Sequence, residues 1–373
     1  MQFIIKREDI LHPLQKVIGV VERRHTIPIL SNVLFNSRDS VLTLTATDNE
    51  IEMISVVEMH CSDSFNTTVP ARKLLDICKA LPEEVDITLN ISDEKILLTA
   101  DRSRFTLASL PASDFPILDN IDETHAVTLP QKYLKQLLDN TAFAMAQQDV
   151  RYYLNGILLE VFPNSVKLVA TDGHRLALSE YRTDIGIDRE QQIIIPRKAV
   201  IELSRLLDQS NDPVTIIFSQ NHIRLKIGLL TFTSKLIDGR FPDYTRVIPV
   251  DSDCLLNINR ETLKCAMTRI SILSNEKYRG VRLVLSNDNL LIQANNPERE
   301  EAEEELAVSY SDAGMEIGFN ATYFLDVLNV LDSEEILIKL KDTNSSCIIS
   351  KGKNKKTDDE KVSSLYVIMP MRL

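Results

Sequence analysis

Lys-Leu-Val-Ala-Thr-Asp-Gly, residues 167–173, restates an earlier run, Leu-Thr-Leu-Thr-Ala-Thr-Asp at 42–48. Each reads as a strand running into a turn that the Asp organises. Working outward, a partner strand stands before each: Ile29–Phe35 in the first case, Tyr153–Glu160 in the second. A third pair follows at Arg279–Leu285 and Leu290–Asn296. Ahead of every pair lies a helix with apolar residues at helical spacing. These are Arg7–Val17 with Ile10, Leu11, Leu14 and Val17; Gln131–Ala144 with Leu134, Leu137, Leu138 and Phe143; and Arg260–Ile272 with Leu263, Met267 and Ile270.

A second helix-plus-strands unit follows in each copy. Val69-Pro-Ala-Arg-Lys73, Ile195-Pro-Arg-Lys198 and Phe319-Asn-Ala-Thr-Tyr323 open its helices. The apolar residues are Leu74, Leu75, Ile77, Cys78 and Leu81 in the first, and Val200, Ile201, Leu203, Leu206 and Leu207 in the second. In the third they are Phe324, Leu325, Val327 and Leu328. Period-two strands come next, Val85 to Ile91 and Ile223 to Ile227. Each copy closes on a proline-containing segment: 114–117, 240–243 and 368–371. The pattern predicts an α+β chain of three repeated domains of roughly 125 residues, at 1–125, 126–253 and 254–373.

With 44% apolar and 26% charged residues in 373, the composition is that of a soluble globular protein. No apolar run approaches a membrane span, and charges at Lys6 and Arg7 come too early for a signal peptide. Five cysteines without a CxxC spacing argue against a disulfide framework and a zinc site and point to a reducing cytoplasm. No metal or cofactor is expected.

A net charge of −12 counts against a nucleic-acid partner unless the charge is unevenly spread. It is. Several repeated helices are net basic, with Arg72, Lys73 and Lys79 in one and Arg197, Lys198 and Arg205 in another, while acid gathers at 298–305. Surface helices carry lysine for solvation alone, yet recurrence at equivalent positions fits a shared basic layer. Twelve such helices about 10 Å apart, two chains' worth, would ring a hole of about 28 Å, whereas six leave only about 9 Å. Duplex DNA needs the larger opening.

Several longer runs resemble the β subunits of bacterial DNA polymerase III, the β sliding clamps, over essentially the whole chain. They are Gln148–Gly156, Ala170–Ala177, Phe232–Tyr244, Ile272–Lys277 and Val367–Leu373. The resemblance implies the DNA-clamp fold and a head-to-tail homodimer closed into a ring around duplex DNA. Such a protein tethers polymerase without catalysing anything. Similarity places Ile272 and Leu273 of one subunit against Phe105 and Leu107 of the next, with Arg102 and Arg104 facing Glu298, Glu300, Glu301, Glu303 and Glu304. It points to Arg24, Arg72, Lys73, Gln148, Arg151, Tyr152, Tyr153, Arg197 and Lys198 as sequence-independent DNA contacts.

The resemblance further implies an apolar groove for short linear peptides of the polymerase III catalytic subunit, the clamp loader, other polymerases and repair proteins. Its residues would be Leu154, Thr171, Gly173, His174, Arg175, Leu176, Pro242, Arg246, Val247, Ser346, Val367, Ile368, Met369, Pro370, Met371 and Arg372. One departure is the charged run between Ser350 and Ser364, longer than expected in the family and read as a flexible hairpin tip.

Two rival classes are weighed. Thr171–Arg175 holds an acid, a base and a cation that could serve hydrolysis. Yet Asp172 recurs as Asp48, as a turn residue would, and no nucleotide-binding loop or nucleophile motif accompanies it. The other rival is a monomeric peptide-binding scaffold that never meets DNA.

Overall fold

The computed structural model describes residues 2–22, 26–58, 64–92, 94–118, 125–187, 190–250, 252–352 and 361–372. The first copy carries β1 (Gln2–Lys6), α1 (Arg7–Val17), β2 (Asn32–Arg38), β3 (Val41–Thr47), β4 (Ile51–Glu58), β5 (Phe65–Pro70), α2 (Ala71–Ala80), β6 (Asp86–Ile91), β7 (Lys95–Ala100) and β8 (Ser103–Ala108). The second carries β9 (His125–Pro130), α3 (Gln131–Thr141), β10 (Gly156–Phe162), β11 (Ser165–Thr171), β12 (Arg175–Arg182), β13 (Gln191–Pro196), α4 (Arg197–Leu206), β14 (Pro213–Phe218), β15 (His222–Ile227) and β16 (Leu230–Lys235). The third carries β17 (Cys254–Asn259), α5 (Arg260–Ile270), β18 (Gly280–Ser286), β19 (Asn289–Asn295), β20 (Glu301–Ala307), β21 (Met315–Asn320), α6 (Ala321–Val330), β22 (Glu335–Leu340), β23 (Cys347–Lys351) and β24 (Val362–Ile368).

These elements form two compact units that cut across the repeat. The first comprises residues 1–132 and 201–236, the second 133–200 and 237–373. The first unit holds a four-stranded sheet, β1-β6-β7-β8, and an eight-stranded one, β5-β2-β3-β4-β16-β15-β14-β9. In it α1 packs on α2, β3 and β4, burying Ile10, Leu11, Leu14 and Val17. The second unit repeats the plan with an eight-stranded sheet, β13-β10-β11-β12-β24-β23-β22-β17, and a four-stranded one, β20-β19-β18-β21. There α5 packs on α6, with Leu263, Met267 and Ile270 of α5 and Phe324, Val327 and Leu328 of α6 buried. Alternating strands and amphipathic helices thus bury one face each, as the periodicity requires.

Inside each eight-stranded sheet the fourth strand of one copy pairs antiparallel with the last strand of the next. Met53 of β4 faces Phe232 of β16, and Ala177 of β12 faces Tyr366 of β24. The four-stranded sheets end instead on β8 and β20, the strands at the same places in the repeat.

Local boundaries differ from expectation where apolar runs are short. Ile29 and Leu30 belong to a 3₁₀ turn, Pro28–Ser31, and Tyr153 and Leu154 to another, Tyr152–Leu154, each preceding its strand. Two apolar residues in a row do not distinguish a tight turn from a strand. The α3 helix stops at Thr141, and Phe143 lies in the following 3₁₀ turn. The α5 helix ends at Ile270, leaving Ile272 in a turn and 73% exposed. On α4, Ile201 is exposed rather than core. Residues 353–360, most of the charged run, lie outside the described residues. No helix among the described residues is long and apolar enough to cross a membrane.

Candidate functional site

The recurring Thr-Asp builds the same turn twice. In the first unit Asp48 Oδ1 accepts the amides of Glu50 (2.8 Å) and Ile51 (2.7 Å), and Thr47 Oγ1 donates to the carbonyl of Ile51 (2.8 Å). In the second unit Asp172 Oδ1 accepts the amides of His174 (2.9 Å) and Arg175 (3.0 Å), and Thr171 Oγ1 donates to the carbonyl of Arg175 (2.6 Å). Asn49 and Gly173 take the left-handed conformation between them, with φ of 75° and 89°. A carboxylate holding two adjacent amides satisfies the donors that a tight hairpin leaves over. Asp172 is therefore spent on structure.

The second turn also anchors an arginine through three bonds. Arg175 Nε donates to Asp172 Oδ2 (3.1 Å) and Nη2 to the carbonyl of Phe143 (2.8 Å), while Nη1 pairs with Asp326. Its guanidinium lies 5.2 Å from the Phe143 ring centre and 4.6 Å from that of Tyr323. An arginine held by two carboxylates between two rings is a fixed strut. Asp326, the only charge on α6, is there to hold it.

Beside this turn the second unit has an open cavity of about 260 Å³. Leu154, Thr171, Gly173, Arg175, Leu176, Pro242, Val247, Val367 and Met369 line it, all anticipated from the sequence. Arg151, Tyr153, Asp243 and Tyr244 line it too. The sequence places Arg151 and Tyr153 only among the DNA contacts, although their adjacency to Leu154 is a signal for the groove. Asp243 and Tyr244 sit between the expected Pro242 and Arg246.

Val367 and Met369 point into the cavity while Ile368, between them, is fully buried on the opposite face, as strand alternation dictates. His174 is exposed, its ring 6.4 Å from Tyr323 and its carbonyl bonded to the Met369 amide at 2.9 Å. Arg246 pairs with Asp243 (2.8 Å), and the Met371 amide donates to the Gly318 carbonyl. His174, Arg246, Ser346, Ile368, Pro370, Met371 and Arg372 do not line the cavity itself.

The floor is apolar and the rim polar. Leu154, Leu158, Val169, Leu176, Phe241 and Val367 form one buried cluster under the cavity. Tyr244 stands at its edge with the hydroxyl donating to Glu160 (2.6 Å), whose other oxygen takes the Gln192 amide (2.7 Å). Burial, then the Glu160 contact, pushes the Tyr244 phenol above its ordinary range. At the other side Arg151 holds Asp149, whose carboxyl is pulled down to about 2 by those hydrogen bonds, and reaches the Asp172 carbonyl at 3.2 Å. Such a site offers apolar contact and a few fixed polar groups, which suits a short peptide.

The remaining expected residues fall elsewhere. Arg24 is outside the described residues. Gln148, at φ 56°, and Tyr152, 57% exposed, stand on a loop with Val150, which is 96% exposed. Lys73 is exposed on α2, whereas Arg72 donates to the Val21 carbonyl (2.7 Å), Arg197 to that of Met145 (3.3 Å), and Lys198 is half-buried. Arg102 and Arg104 are exposed on or beside edge strand β8, with Phe105 half-buried and Leu107 buried on its other face. On edge strand β20, Glu301 and Glu303 face outward, and Glu304 turns inward to pair with Arg269. Glu298 and Glu300 are exposed just before it, and Leu273 is half-buried next to Ile272. Among the described residues no group of three His, Cys, Asp or Glu side chains could hold a metal ion.

A repeated α+β chain whose one acid–base–arginine constellation is locked into a turn, beside an apolar groove, is a binding platform of the clamp class. Family models of the DNA polymerase III beta subunit match it end to end: the N-terminal domain at 1–119, the central domain at 128–243 and the C-terminal domain at 245–372. The beta sliding clamp of Pseudomonas aeruginosa is 51% identical, with all of both chains covered. A crystal structure of the DNA polymerase III subunit beta from the same organism superposes with a TM-score of 0.96 at 50% identity, again over both whole chains. Another, at TM-score 0.94, 51% identity and full coverage of both chains, is bound to griselimycin. The chain belongs to the DNA polymerase III beta subunit family. It is a DNA sliding clamp for polymerase processivity and a non-catalytic one.

Proposed function

We propose that two copies of this chain close head to tail into a ring around duplex DNA, each built of domains at 1–125, 126–253 and 254–373. The observation that carries this reading is the pair of open strand edges, β8 and β20. In both eight-stranded sheets the equivalent strands pair, and their register transfers through the repeat. The hairpin Ala100↔Ser103 matches Ile227↔Leu230, and Ala294↔Ala302 matches Ala46↔Met53. By the register of β4 with β16, Phe105 then faces the partner's Ala302, Arg104 faces the partner's Glu303, and Arg102 comes opposite the partner's Glu305. Cross-strand pairs of opposite charge stabilise such a ladder. Each chain offers one edge of each kind, so two contacts close the ring and leave neither β8 nor β20 open.

Within the ring, Arg24, Arg72, Lys73, Gln148, Arg151, Tyr152, Tyr153, Arg197 and Lys198 touch phosphates without reading sequence. The groove beside Arg175 takes linear peptides of the polymerase, the clamp loader and repair proteins. The protein works in the cytoplasm, in keeping with the free thiols of Cys78, Cys254, Cys265 and Cys347 among the described residues.

Sedimentation and loading onto nicked circular DNA test the ring together. A dimer that stays on circles and runs off after linearisation is the expected result. Equal lifetimes on both forms would falsify topological tethering. Arg104→Glu should weaken the dimer, and adding Glu303→Arg should restore it; no restoration would rule out this register.

A further inference from the structure

The groove has a counterpart in the first unit. A cavity of about 250 Å³ is lined by Thr47, Asn49, Pro116, Ile117, Leu118, His222 and Lys235. Six of these occupy the repeat positions of Thr171, Gly173, Pro242, Asp243, Tyr244 and Met369, which line the groove of the second unit. The hydrogen bonds fix the correspondence. The Lys235 amide donates to the Glu50 carbonyl at 2.9 Å, as the Met369 amide donates to that of His174 at 2.9 Å. The layer beneath corresponds as well: Leu30, Leu34 and Phe115 form one buried cluster, and Leu154, Leu158 and Phe241 belong to the other.

The lining chemistry is not copied. Met369 is replaced by the exposed cation Lys235, with His222 beside it across the β15–β16 ladder. None of the seven lining residues is acidic. Nearby carboxylates are engaged elsewhere: Asp48 holds its turn, and Glu52, 2% exposed, accepts the Leu118 amide at 3.0 Å and feels Arg224. Glu50 is exposed on the turn, outside the lining. Pro116, Ile117 and Leu118 supply an apolar wall, and Ile117 is 66% exposed.

We propose that this cavity is a second docking site, for an acidic linear peptide of a partner protein that sets an apolar side chain against Ile117 and Leu118 and a carboxylate on Lys235. The choice of a peptide rests on the reading of the second unit's groove; the choice of an acidic one rests on the exposed cation Lys235 and the lack of any acid in the lining. A cation at the mouth of a half-apolar cleft selects a carboxylate over its amide, by about threefold for a solvent-exposed pair. The two sites thus divide partners by charge.

The test is a titration of the full chain, labelled at Ile, Leu and Val methyl groups, with the blocked peptide acetyl-Leu-Asp-Leu-Asp-amide and its Asn-for-Asp twin. Saturable shifts at Ile117 and Leu118, at about threefold lower peptide concentration for the Asp form, are expected. Lys235→Met, an exposed change to the residue found at the equivalent place, should erase that preference while keeping the shifts. Shifts confined to Leu176, Val247 and Val367 would overturn the proposal and leave the first groove standing. No difference between the two peptides, or a preference that survives Lys235→Met, would overturn it too. Failure of the first groove would show separately, as silent Leu176 and Val367 methyls.

Discussion

The two cavities share a turn, a proline and a size, and differ in what fills the floor. In the second unit the strand after the turn places Leu176 beneath the opening, beside Val367. In the first unit the equivalent residues are Glu52 and Thr233, both buried, and the Glu52 carboxyl draws in the Leu118 amide. One fold therefore yields an open apolar groove where the floor is aliphatic, and a strapped, half-polar cleft where it holds a carboxylate. The wall differs also. Arg175 is replaced by Ile51, so only the second unit has the strut from the turn to Asp326. Recognition here is set by side chains on a backbone that the repeat keeps constant.

Removing the strut should have the largest effect. Arg175→Ala leaves Asp172 and Asp326 facing each other and opens space between Phe143 and Tyr323. A loss of about 3 kcal/mol or more in urea unfolding is expected, because breaking a partly buried ion pair strands its partners. If Arg175→Ala costs under about 1 kcal/mol, as an exposed pair would, the strut is decoration. The two turn aspartates come next. Asp48→Ala should cost about 1–2 kcal/mol for two lost amide bonds. Asp172→Ala should cost about 1 kcal/mol more, since it also frees Arg175. Equal losses would mean that the strut adds nothing to the turn.

The repeat was legible because its signals are local. Helices α1, α2, α4 and α6 and the paired strands announce themselves by period, and Ala-Thr-Asp marks the turn in the sequence itself. The strut was not legible. Phe143 reads as one more apolar residue of the helix that carries Leu134, Leu137 and Leu138, although it lies in the turn beyond, and nothing nearby in the chain says that it lies under an arginine 32 residues on. Asp326, the only charge on α6, was silent for the same reason: its partner is 151 residues away. The counterpart cavity was hidden too. Pro116 and Lys235 look unrelated in sequence; the register of β4 with β16 sets Lys235 beside the turn, and the Leu118 amide bound to Glu52 brings the Pro116 segment to the same opening.

Peptide binding should respond to the walls. Met369→Lys, which installs the first unit's residue, removes an apolar wall worth about 1.4 kcal/mol, or about tenfold in affinity for an apolar linear peptide. Fluorescence anisotropy would measure it, and unchanged affinity would show that Met369 is a bystander. A smaller effect is expected at Glu52. Burial raises its carboxyl above the ordinary 4.5, more than the Leu118 amide and Arg224 lower it. The fold therefore favours the protonated form. That contribution is complete below 4.5 and is lost as pH rises through the raised value. Glu52→Gln keeps an acceptor for Leu118, so it should gain on the wild type as the solution is taken from below 4.5 to neutrality. A constant difference across that range would mean that Glu52 titrates as it does unfolded.

The smallest expected effect lies in the residue between threonine and turn acceptor. Asn49 and Gly173 both hold positive φ, 75° and 89°, where glycine is unstrained and asparagine is the next best tolerated. Asn49→Gly should thus change stability by no more than about 0.5 kcal/mol, glycine's greater freedom when unfolded offsetting the relieved strain. Gly173→Asn is not its mirror image. A Cβ there would come within 2.9 Å of an Arg151 Nη1 that lines the groove, and the φ of 89° is further from the left-handed minimum. The Arg151 side chain, bound through Asp149 and the Asp172 carbonyl, has room to swing but must give up the second bond. The expected cost is about 1 kcal/mol, with a change in the Arg151 guanidinium resonance that Asn49→Gly leaves untouched. If both swaps cost the same and neither moves Arg151, the two turns are interchangeable, and the difference between the cavities begins only at the floor.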